Sequence, residues 1–337
     1  MMIESLRDFC LPYHIHFDQE PQLLGASRQT WLIRDIEDRN WTIKVKDPQD
    51  HTPELLKNFS VLHPPFAYPQ PLSEANAPYL LYPHLEGTLL ADDDFENPDI
   101  IVQVMEIIGR VQATMRSLVL VPFYQETMRL RDKDPLENPL ERMSFDRVQG
   151  TTEQQRAARH REMAESYHWT EKTVQACRET LRSHGLWLDA PFEEYRDRVQ
   201  NLFALHIPVF GSNLCHTALH PEHLVMNAET LHGIVGWRIE PRPRFYMTYT
   251  YLAWSYLHSK RPDSGEFYRG CLTRNSSRAF HTEHHLVLAL CLLEQLAHRC
   301  GEQPPQASPI TGQRIDDAMQ LFTECVAKAR KEEKALF

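Results

Sequence analysis

The chain has 337 residues, 42% of them apolar and 24% charged, with a formal net charge of −10. That composition describes a globular protein of one large or two moderate domains and argues against broad affinity for nucleic acid. No apolar run approaches the roughly 18 residues that span a bilayer, and the acidic start lacks a long apolar segment, so a soluble cytoplasmic protein is expected, without membrane attachment.

Seven cysteines, an odd number without a CxxC pair, read as free thiols in a reducing compartment. Residues 2–11 read as a short helix stopped by Pro12. Gln22 to Val45 reads as sheet: Thr30–Ile33 is one strand, Glu37–Asn40 a turn, and Trp41–Val45 the returning strand. Alternation sets Lys44 and Lys46 on one face of that strand. A short helix is expected after Pro53, and a further strand at Pro78–Tyr82.

From Asp99 to Leu118, apolar residues recur at helical spacing, with Gly109 placed to allow close packing. Residues 122–150 read as an exposed, proline-rich excursion whose Asp132, Asp134 and Glu137 would suit a cationic substrate. A long polar helical stretch is expected from Thr152 to His184, and a second helix from Pro191 to Leu205. The aromatic run Phe245–His258 favours a helix, although its Tyr and Thr content also fits a strand. Two amphipathic helices follow, at His281–His298 and Thr311–Lys331. Near-continuous βα units and a dinucleotide-binding glycine fingerprint are both absent.

Between the helical stretches lies the most informative segment, Cys215 to Arg244. A run from Val209 leads to a histidine-rich loop, then to Leu224–Met226, a polar turn at Asn227–Thr230, and a second apolar run at Gly233–Trp237. This is a hairpin of two short strands preceded by a loop. The loop reads His216-Thr217-Ala218-Leu219-His220-Pro221-Glu222-His223-Leu224, and the second run contains Ile234-Val235-Gly236-Trp237.

These residues resemble the catalytic loop and metal-binding hairpin of the aminoglycoside phosphotransferase and choline kinase-like family. The resemblance implies an α+β, bilobal protein kinase-like fold, with a β-rich small lobe and hinge over residues 1–87 and a mainly helical lobe over 88–337. It also implies that Gly25 and Ser27 lie in a loop over the phosphates, that Lys44 contacts phosphate with Glu54 orienting it, and that Tyr82 lies at the hinge. Lys46 competes with Lys44 for that role.

The family loop has the form His-Gly-Asp-Leu-His-x-x-Asn-Leu, with a second Asp in an Ile-Asp-Trp context. Here Ala218 stands where the catalytic Asp is expected, His223 replaces the Asn, and Gly236 replaces the metal-binding Asp. The framework residues remain and the chemical ones are changed. Alanine accepts no proton and glycine offers no oxygen to magnesium.

The expectation is therefore a pseudokinase that serves as a binding or regulatory module, with a cleft for a nucleotide (ATP, with or without Mg2+) or a small polar metabolite, or with a protein partner. Two other readings stay open. One is a divergent ATP-dependent phosphotransferase that draws carboxylates from Glu222 or Glu240; the other is a structural interaction module with a closed cleft. His216, His220 and His223 are imidazoles of the kind that suits zinc rather than magnesium, but His216 is expected to brace the loop from below, so no metal site is assigned.

Overall fold

Alternating apolar and polar residues fold the first part of the chain into a sheet, as their period of two requires. The computed structural model describes residues 2–24, 29–47, 52–74, 77–91, 94–118, 168, 170–186, 189–204, 213–243, 245–278, 282–302 and 309–335. Strands β1 (Gln22–Leu23), β2 (Thr30–Arg34), β3 (Asn40–Val45) and β4 (Tyr79–Pro83) form an antiparallel sheet in chain order.

The ladder aligns Trp31, Ile43 and Leu81, and one step along it aligns Thr30, Lys44 and Leu80. These two sets face opposite sides of the sheet. The Trp31 side is covered by the helix Met2–Cys10, whose Leu6 and Cys10 are buried with Trp31, Ile33, Ile43 and Leu81. That helix gives way at Leu11–Tyr13 to a single 3-10 turn containing Pro12. Between β2 and β3, the buried Asp35 carboxylate accepts the backbone N–H groups of Glu37 and Arg39 and the indole N–H of Trp41, each at 2.9 Å. The expected helix after Pro53 is two pieces, Thr52–Lys57 and Phe59–Leu62.

The remainder is mainly helical, and the architecture as a whole is α+β. The helix Pro98–Leu118 matches its expected span to within a residue and buries Ile101, Val104, Ile108, Val111 and Met115. Gly109 corrects one expectation: a Cβ there would meet nothing within 4 Å. One residue beyond Ile108 rotates about 100° around the helix, out of the buried stripe.

The aromatic run is a helix, Tyr246–His258, and shares one core with Thr282–Glu302 and Pro309–Ala335. Every residue from Leu286 to Leu293 is fully buried, which makes Thr282–Glu302 the central helix rather than an amphipathic surface one. The helix Pro262–Arg278 was not expected from the sequence. Its start is held from a distance by the buried Glu96, which accepts the backbone N–H of Lys260, the backbone N–H of Arg261 at 3.1 Å and the Ser264 hydroxyl at 3.3 Å.

The helix Asp189–Ala204 fits the expected one at 191–205, and residues 170–183 are helical. The 122–150 excursion with its acidic rim, and most of the stretch from Thr152, lie outside the described residues. None of the seven cysteines is in a disulfide, and six are buried. Among the described residues, no helix is long and apolar enough to cross a membrane.

Candidate functional site

Two small sheets frame the histidine-rich loop. Strand β6 (Asn213–His216) pairs with β9 (Ile239–Arg242), while β7 (Leu224–Asn227) lies between β5 (Thr88–Leu89) and β8 (Thr230–Ile234). The expected hairpin is present, but its second strand starts earlier than expected and ends at Ile234. The lead-in from Val209 lies outside the described residues. Ala67 bridges to Gly233 beside β8: its N–H donates to His232, and its carbonyl accepts the Ile234 N–H, both at 3.0 Å. A Cβ at Gly233 would sit 2.7 Å from the Ala67 carbonyl oxygen, so this approach requires glycine.

His216 ends β6 and is buried, 1% exposed, with its ring stacked 4.6 Å from Trp237. Trp237 in turn packs on Phe66 and Phe59 and donates its indole N–H to the Ile234 carbonyl. The N–H of Ala218 donates to His216 Nδ1 at 3.2 Å, so His216 braces the loop from within, as expected. His223 Nδ1–H donates back to the Ala218 carbonyl, and the His223 carbonyl accepts the Val235 N–H at 2.9 Å. Pro221–His223 forms a 3-10 turn whose preceding residue, His220, is extended.

Gly236 adopts φ +64°, a left-handed conformation that favours glycine. A Cβ there would fall 2.4 Å from His223 Cδ2 and 2.5 Å from its Nε2. Three positions singled out in the sequence therefore meet: Ala218 bonds to His223, and the His223 ring lies against Gly236. Further rings extend the group. His220 is 4.2 Å from His223 and stacks towards Trp254, which stacks on His258 at 4.3 Å. Burial, with His223 beside it, pushes the His216 ring down to about 3; burial, with His223, His298 and His258 nearby, does the same to His220. Both rings are neutral at neutral pH.

Of the two carboxylates considered as substitutes, Glu222 brings an oxygen within 4.8 Å of a ring nitrogen of His220 and of His223, whereas Glu240 is held by two arginines. Glu222 is 72% exposed and contacts His220 Nδ1 at 3.1 Å. Glu240 lies between Arg238, at 2.7 Å, and Arg242. Magnesium requires near-octahedral oxygen ligands. A methyl group, an imidazole and a glycine do not supply them, so these residues do not fit a magnesium-bound nucleotide.

Of the other expected site residues, Lys44 on β3 and Tyr82 on β4 share the sheet face turned away from the helix Met2–Cys10. Lys46, past the end of β3, is half-buried like Lys44. Trp31 and Trp41 belong to the opposite face. Glu54 falls in the helix Thr52–Lys57, whereas Gly25 and Ser27 lie outside the described residues. The sequence reading missed Trp254 and His258 as neighbours of the loop. Their spacing of four on a helix put them on one face, which was the available signal.

No protein-family model matches the chain, and no curated protein is similar to it in sequence. Solved structures do align with it. A choline kinase from Streptococcus pneumoniae is 12% identical with a TM-score of 0.49, covering 96% of this chain and 99% of its own. A GDP complex of an aminoglycoside 2'-phosphotransferase is 15% identical with a TM-score of 0.47, covering 97% of each chain. A Plasmodium vivax ethanolamine kinase is 11% identical with a TM-score of 0.46, covering 93% of this chain and 84% of its own. At such scores and identities these likenesses carry no statement about activity.

Proposed function

We propose that the chain is a catalytically impaired protein of the aminoglycoside phosphotransferase and choline kinase-like type, acting as a binding or regulatory module. The observation that supports this is the His223 ring against Gly236. An aspartate Cβ at 236 would need the space that the ring occupies, so the position is closed to the carboxylate that the family pattern places there. Ala218 adds that the position of the family's catalytic aspartate carries no side chain able to accept a proton from an attacking hydroxyl.

In this reading Lys44 and the hinge at Tyr82 hold a nucleotide or a small polar metabolite, with Gly25 and Ser27 in the covering loop and Glu54 orienting the lysine. Calorimetric titration with ATP, with and without magnesium, tests it. Binding that is indifferent to magnesium, and lost in Lys44→Ala, is the expected result. Binding strengthened by magnesium overturns the impaired-site reading in favour of a divergent phosphotransferase. No binding in either condition removes the nucleotide and leaves a protein partner.

A further inference from the structure

Where the family pattern has oxygen ligands, this loop presents nitrogen. One donor atom from each of His220, Glu222 and His223 lies within 4.8 Å of the others. The pair His220 Nδ1 and Glu222 Oε1, 3.1 Å apart, is spaced much like two ligands of one tetrahedral ion, about 3.3 Å for bonds of about 2.0 Å. His223 donates through Nδ1 to the Ala218 carbonyl, which fixes its tautomer and leaves the lone pair on Nε2. Ligating imidazoles are commonly held this way, with the second nitrogen bonded to a carbonyl. Gly236 contributes by having no side chain, since a Cβ would sit 2.5 Å from that Nε2.

We propose that His220, Glu222 and His223 together bind one divalent transition-metal ion of the zinc type. Two imidazoles and a carboxylate suit zinc, nickel or copper over magnesium and leave a fourth tetrahedral position for water or an external ligand. Glu222 is 72% exposed and its carboxylate already contacts His220, so it reaches the rings without displacing packed side chains. His216 is not a ligand: its Nδ1 accepts the Ala218 N–H and its ring is stacked on Trp237. The geometry thus keeps His220 and His223 from the histidine triple considered from the sequence and puts Glu222 in place of His216.

The test is titration of the metal-free full-length protein with Co2+, followed by visible absorption, and then displacement by Zn2+. No nucleotide is present, so the outcome is separate from that of the ATP titration. One Co2+ per chain with the intense bands of four-coordination is expected, without competition from Mg2+. Glu222→Gln, an exposed change that leaves folding intact, weakens binding at least about tenfold, and His220→Ala weakens it at least as much. Unfolding curves of both variants without metal establish that they are folded. Absence of saturable Co2+ binding overturns the proposal. So does binding that both folded variants retain unchanged, which places the ion elsewhere among the 18 histidines.

Discussion

At the scale of single residues, His223 and Gly236 lie against each other, so a change at one is felt at the other. The His223 ring cannot swing freely away from position 236, because its Nδ1 is tied to Ala218. Gly236→Asp is therefore expected to lower stability by about 2 kcal/mol, from left-handed backbone and overpacking together. His223→Asn in the same chain recovers at least half of that. Denaturant unfolding of the single and double variants measures the coupling, and strict additivity would show that the ring and the glycine are unrelated. The sequence does not reveal that residues 218, 223 and 236 touch, because they meet only once the hairpin has folded back.

A second residue-scale expectation concerns Glu294. Burial raises its carboxyl to about 7, against the opposing influence of Arg242 and of a hydrogen bond from Tyr246, with Glu240 adding to the rise. Cys291, Cys177 and Tyr195 also face it. A carboxyl raised in the folded state contributes fully below its unfolded value of 4.5, and that contribution is lost as pH rises through 7. Glu294→Gln is therefore expected to match the parent near the acid end and to exceed it by on the order of 2 kcal/mol on the alkaline side. Parallel stability profiles for the two proteins would refute this.

At the scale of elements, periodicity read well where one face is buried and poorly where long-range contacts decide. The stripes of Pro98–Leu118 and Pro309–Ala335 were legible because their apolar residues recur every three to four positions. The helix Pro262–Arg278 was not, since its buried residues are few and its start depends on Glu96, far back in the chain. Strand β9 was hidden by Pro241 and Pro243, which discourage a strand reading unless the partner β6 is known. Gly109 gives a direct test at this scale. It sits on an exposed helical face with open space around it, so Gly109→Ala is expected to stabilise the protein by about 0.5–1 kcal/mol in thermal or denaturant unfolding. A loss of stability would mean that the helix face is covered.

At the scale of the molecule, the hairpin and β9 are held by segments from the first part of the chain. Strand β5 and Ala67 pair with the hairpin, and the Thr52 hydroxyl accepts the Ile239 N–H from 187 positions away. Such pairings form late, because distant segments must first be brought together. During synthesis, β5 and the backbone around Ala67 have no partner until the hairpin leaves the ribosome. A chain cut short before that point would therefore expose two unmatched backbone edges, each a ready template for pairing with another molecule.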